Sequence, residues 1–167
     1  ARVILSLSEG DHDLVQSLLP ELLAHPAWKL SPRSLWRLSL DAYTSRRNWM
    51  DIMESTPEFV DIHQWLVASA QSVHTMVLEP LLDTLIGRPN PDAQVASETS
   101  MTSQFYTYIL SEDSLTNTPT TYLEYLTALR TIRTKLREYA PGEGLGLAQF
   151  VNFIELHRRL GTSITVK

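Results

Sequence analysis

Arg130, Arg133 and Arg137 recur at i, i+3 and i+7, a spacing that gathers them on one face of a helix, and Lys135 falls between the last two in the sequence. A row of guanidinium and ammonium groups suits anions, above all the phosphates of a nucleic-acid backbone. Tyr125, Leu129, Ile132 and Leu136 repeat at 4, 3 and 4 on another face, so one side of this helix can pack while the other meets an anion. The same pattern also describes a solvated helix face on which Glu124 and Glu138 pair with some of the cations. Arg158 and Arg159 have a local explanation, since cations in a last helical turn offset the negative end of the helix dipole.

No other group of residues nominates a reaction. Gly142-Glu143-Gly144-Leu145-Gly146 has the glycines of a phosphate loop, but no strand precedes it and no lysine follows at the required spacing. Glu143 would repel phosphate, so this stretch reads as a helix–helix turn. His12, His25, His63, His74 and His157 never fall at i, i+4 around a glutamate, which leaves metal ligands unassigned. Asp11-His12-Asp13 and Asp61/His63 are read as capping or solvated surface. Glu112-Asp113 lies in a polar stretch where nothing would separate the two pKa values, and no G-x-S-x-G elbow is present. Trp28, Trp36, Trp49 and Trp65 sit among leucines at helical spacing and read as core, their indole nitrogens needing partners if buried. The expectation is a chain with no catalytic residue, no metal and no cofactor of its own.

The elements that must position the cationic row are helical. At 167 residues the chain is long enough for one domain with a real core, and 43% hydrophobic with 20% charged residues places it among globular proteins. Residues 1–118 carry 15 acids and 7 bases, whereas residues 119–167 carry 4 acids and 7 bases, so affinity for phosphate is expected in the last third. Absence of cysteine excludes disulfides and suits a reducing, cytoplasmic setting. No apolar run approaches the roughly 20 residues of a membrane span, and no membrane partner is expected. The chain opens at Ala1 without methionine and reads at once as helix, which fits a piece excised from a larger protein, or simply a chosen boundary.

Apolar residues recur at three and four nearly throughout, and the expected fold is all-α: an irregular bundle of about seven to nine helices in a single domain over residues 1–167. Asp11 or Asp13 caps a second helix, in which Pro20 suggests a kink or early boundary. Ser31-Pro32, Thr56-Pro57 and Thr118-Pro119 read as helix starts, with Ser55 and Glu58 as an alternative capping box at the second. Helices are expected around Trp49–Met53, Phe59–Ala70, Leu78–Ile86 and 100–111, with Gly87 closing the third of these and residues 88–99 an exposed loop. Ser111-Glu112-Asp113 and Thr116-Asn117-Thr118 read as a polar connection into the long helix, about 119–139, which Pro141-Gly142-Glu143-Gly144 ends. The last helix, Leu147–Leu160 closed by Gly161, is apolar round much of its circumference and is expected to be the most buried element. Ser163-Ile164-Thr165-Val166 has the composition of a short strand-like tail.

His25-Pro26-Ala27-Trp28, Leu35-Trp36-Arg37-Leu38-Ser39, Trp49, Trp65-Leu66, Leu78-Glu79-Pro80-Leu81, Leu85-Ile86-Gly87, Leu136-Arg137-Glu138-Tyr139 and Phe150-Val151-Asn152-Phe153-Ile154 form a pattern spanning almost the whole chain. It resembles the helical accessory region, called 2B, of UvrD/Rep-like superfamily 1 DNA helicases and related helicase-nucleases of DNA repair. The resemblance implies a helical insertion in a RecA-like domain, with the tail at 163–166 returning toward the motor. It also implies partners, namely DNA and the RecA-like motor domains of the same parent chain, and a parent that uses ATP and Mg. The family's Walker lysine, acidic metal-binding pair and arginine finger have no counterpart here, so no catalytic residue is carried over. Arg130, Arg133, Lys135 and Arg137 are the expected phosphate contacts. The competing expectation is a helical protein–protein interaction module whose apolar groove, among the tryptophan-rich helices, accepts a partner helix or peptide.

Overall fold

The computed structural model describes residues 1–87, 103–139 and 145–162, and within them every regular element is a helix. Helix α1 (Arg2–Glu9) closes at Gly10, whose φ of 75° lets the chain turn back so that Gly10 N–H donates to Leu7 and Asp11 N–H to Ser6. Asp11 then caps α2 (His12–Leu23), its carboxylate accepting from Leu14 N–H at 3.1 Å, so the acid of the Asp-His-Asp triplet is a cap. Pro20 sets no boundary, for α2 runs on to Leu23. His25 Nδ1 accepts from Ala27 N–H at 3.2 Å and starts a 3-10 turn over Pro26–Trp28, a local role for a side chain weighed as a possible ligand.

Ser31 caps α3 (Pro32–Ser45), Oγ accepting from Ser34 N–H at 3.1 Å while Pro32 supplies a preset φ in the first turn. Ser31→Ala is expected to lower stability by about 1 kcal/mol in a urea titration. Helices α4 (Trp49–Ser55), α5 (Val60–Ser72) and α6 (Leu78–Ile86) follow, then α7 (Gln104–Leu110), α8 (Glu112–Asn117), α9 (Pro119–Tyr139) and α10 (Leu147–Leu160).

One continuous core joins Val3 on α1 to Phe153 on α10, with α1 packed on α2, α5 and α10, and α5 on α4 and α6. Ile4, Val15, Leu19, Leu23, Leu38, Met53, Leu66, Leu81 and Leu147 are among its fully enclosed side chains. Trp28 lies against Trp65 and Phe105, each pair with ring centroids 5.3 Å apart. The indole nitrogens of both tryptophans are buried without a hydrogen-bond partner among the described residues, which costs about 1–3 kcal/mol each and departs from the rule that buried indoles find acceptors. Trp49 is half-buried at the edge of this core, and Trp36 is exposed, outside the core that its spacing suggested.

Three further departures have local causes. Thr56 does not begin a helix: its hydroxyl donates to Ile52 at 2.7 Å, closing α4, and α5 starts only at Val60 after a turn. The polar stretch after Ser111 is a helix, α8, capped by Ser111 Oγ on Ser114 N–H at 3.1 Å; it buries no residue, so it leaves no apolar stripe to be read. In α10 Leu147, Val151 and Phe153 are buried, but Leu156 and Leu160 are exposed, because α1 and α9, the neighbours packed on it, cover only part of its circumference. The loop expected at 88–99, the terminator at 141–144 and the strand-like tail at 163–166 lie outside the described residues.

Candidate nucleic-acid interface

Helix α9 has 21 residues and is therefore roughly 32 Å long. Its start uses the backbone of Thr118, which accepts from Tyr122 N–H at 3.0 Å, while the Thr118 hydroxyl donates back into α8. Along it Arg130, Arg133 and Arg137 share one side and Lys135 stands on another, and the four expected phosphate contacts meet different fates. Arg133 forms an ion pair with Asp83 on α6. Arg137 grips Glu79 with two nitrogens, Nε lying 2.8 Å from Oε1. Lys135 Nζ donates to Glu138 Oε2 at 2.7 Å within α9 itself. Arg130 is exposed and forms no ion pair with a described residue.

The two pairs to α6 have a simple construction. Glu79 and Asp83 are four apart on one helix, Arg133 and Arg137 four apart on the other, and the matching runs in opposite directions, Asp83 to Arg133 and Glu79 to Arg137. This is the i, i+4 geometry of a helix surface used twice. Of the acids expected to answer the cations, Glu138 does so and Glu124 does not; the acids on α6 were missed. Their signal was present as two carboxylates four apart on an otherwise apolar helix, Leu-Glu-Pro-Leu-Leu-Asp. Such partly exposed pairs contribute about 0–1 kcal/mol each.

The apolar side of α9 is less filled than its periodicity promised. Thr131 and Leu136 are buried, while Tyr125, Leu129 and Ile132 line a half-open apolar cavity of about 660 Å³ enclosed with Leu22 of α2, Trp65 of α5 and Phe105 of α7. That volume falls within the range of small-ligand pockets. Arg158 reaches its edge from the last turn of α10, and Arg159 is exposed beside it in sequence.

Among the described residues no group of three histidine, aspartate or glutamate side chains is placed to hold a metal ion, and no helix is long and apolar enough to cross a membrane. The arrangement offers binding surfaces of two kinds, a cationic row and an apolar cavity, on adjoining sides of one helix in an all-α bundle. No family model, curated protein or solved structure matches the chain.

Proposed function

We propose that this chain is a non-catalytic helical accessory unit of an ATP-dependent DNA helicase, similar to the 2B region of the UvrD/Rep-like group. It meets the phosphate backbone of duplex or junction DNA through α9, or restrains the motor by swivelling against it. ATP, Mg and the RecA-like motor domains belong, in this reading, to the rest of the parent. The observation that carries it is the cationic row itself: Arg130 is exposed and has no ion pair among the described residues, and Arg133, Lys135 and Arg137 sit in weak, partly exposed pairs that a phosphate oxygen can displace. The pattern behind the resemblance supplies much of the core, through Trp28, Leu38, Trp65, Leu66, Leu78, Leu81, Leu85, Leu136 and Phe153.

The test is duplex binding by the chain across a salt series. Arg130→Ala is expected to weaken binding to all duplex sequences alike and to flatten the slope of log K against log salt by about 0.9, the share of one phosphate contact. Equal weak binding by wild type and an Arg130→Ala/Arg133→Ala/Arg137→Ala variant removes α9 as the interface.

The apolar cavity favours a second reading, a module that accepts the apolar face of a partner helix against Tyr125, Leu129 and Ile132. Its mark is an association that salt leaves unchanged and that Ile132→Asp abolishes.

A further inference from the structure

Helix α3 packs on α4 through the side that buries Leu38 and Ala42. Its other side has no packing partner of comparable extent among the described residues, and it is not a usual solvated face. Trp36 is 66% exposed, Leu40 41% and Tyr43 83%, and these three recur at i, i+4 and i+7, a spacing that lines them up on one face. Arg33 and Arg37, exposed and four apart, run beside them along the same arc. Lys29 and Arg46 stand exposed just beyond either end of the helix, both at positive φ, 55° and 53°.

Charge here runs against the rest of the chain. Residues 29–47 hold Lys29, Arg33, Arg37, Arg46 and Arg47 against a single acid, Asp41, although the chain as a whole has a formal net charge of −5. None of these five cations forms an ion pair with a described residue; Arg47 donates instead to the Asp51 carbonyl at 3.0 Å. Free guanidinium groups interleaved with exposed flat rings match the chemistry of an unpaired nucleic-acid strand, which offers a phosphate and an accessible π-face at every nucleotide. A duplex hides its base faces in the stack and would leave Trp36 and Tyr43 without a role. An acidic peptide would use the cations but not the rings.

We propose that the outer face of α3 binds single-stranded nucleic acid, with Trp36 and Tyr43 stacking on bases and Arg33 and Arg37 holding the phosphates between them. This surface is separate from the row on α9 and does not depend on it.

Trp36 is the tryptophan that solvent reaches most, so titrating the 167-residue chain with oligo(dT) is expected to quench its emission. Trp36→Ala should weaken oligo(dT) binding by about 5- to 100-fold, as loss of one stacked base does, and Trp36→Phe should restore most of it. Arg33→Ala/Arg37→Ala should reduce the salt slope by about 1.4, two phosphates of a single strand. Circular dichroism of each variant should match wild type, since all three side chains are exposed. Unchanged oligo(dT) affinity in both variants overturns the proposal. So does tighter binding of a blunt duplex than of oligo(dT), or of vesicles rich in phosphatidylserine, when either is lost in the same variants. The α9 triple variant keeps full oligo(dT) binding if the two surfaces are distinct.

Discussion

Gly87→Ala is expected to destabilise the chain by about 2–5 kcal/mol, whereas Gly10→Ala loses only about 1 kcal/mol. Both glycines end helices with positive φ, 85° at Gly87 and 75° at Gly10, a conformation that costs an L-residue about 1–2 kcal/mol. Alanine regains part of that by restricting the unfolded chain. The difference lies in what the new methyl group meets. At Gly10 there is open space, but at Gly87 an added Cβ would collide with the backbone carbonyl of Ser103. Backbone cannot swing aside as a long side chain does, so the chain entering α7 must shift, and overpacking of this kind adds about 1–3 kcal/mol. Urea titration of the two variants measures the gap. Equal losses would mean that the start of α7 does not approach the end of α6 as closely as described. Because α6 carries Glu79 and Asp83, the Gly87 variant should also loosen the seat of α9.

Helix ends were legible where a side chain or a glycine acts on its own neighbours. Ser31 beside Pro32, Asp11, Gly87 and Gly161 all stand where the capping rules put them, since a cap is decided within about one turn. Thr56 broke the same rule: its hydroxyl donates back to the Ile52 carbonyl, so it closes α4 instead of opening α5. Helix α8 escaped notice for the opposite reason: a six-residue helix that buries nothing has no periodicity, only its serine cap. The tryptophans show the limit of spacing arguments. Trp28, Trp36 and Trp65 all lie among leucines, yet Trp36 points outward, because which arc of α3 faces the bundle is settled by Leu38 and Ala42 meeting α4.

Of the cationic row, spacing on α9 was readable and pairing was not. Arg133 and Arg137 meet acids 50 and 58 residues away in sequence, and only the tertiary arrangement says which helix lies alongside. The charge tally misled in a related way. Summing over residues 1–118 buries the basic run at 29–47 under the acids around it, so a surface with five cations looked like part of an acidic lobe. A phosphate responds to charges within about a Debye length, roughly 10 Å, so local runs matter more than the sum over a lobe.

Leu19→Ala is expected to cost about 3–5 kcal/mol, and Leu129→Ala about 1 kcal/mol or less, although both leucines belong to apolar stripes. Leu19 is 0% exposed on α2, inside the continuous core, so its deletion loses transfer free energy and leaves a void that close-packed neighbours cannot fill. Leu129 is only partly buried and already faces the cavity of about 660 Å³, so truncation removes few contacts. A third substitution separates this account from mere exposure: Leu129→Phe should leave stability within about 0.5 kcal/mol of wild type or raise it, because the extra ring has room, whereas overpacking a filled site costs about 1–3 kcal/mol. Chemical denaturation of the three variants decides the matter. A large loss in both Leu129 variants would show α9 docked on a solid core, and would remove the apolar face as a place for any partner. The expected result has α9 held to the bundle chiefly by Leu136 and Thr131, so that the weak ion pairs of Arg133 and Arg137 to α6 can be exchanged for phosphate while the apolar side stays open.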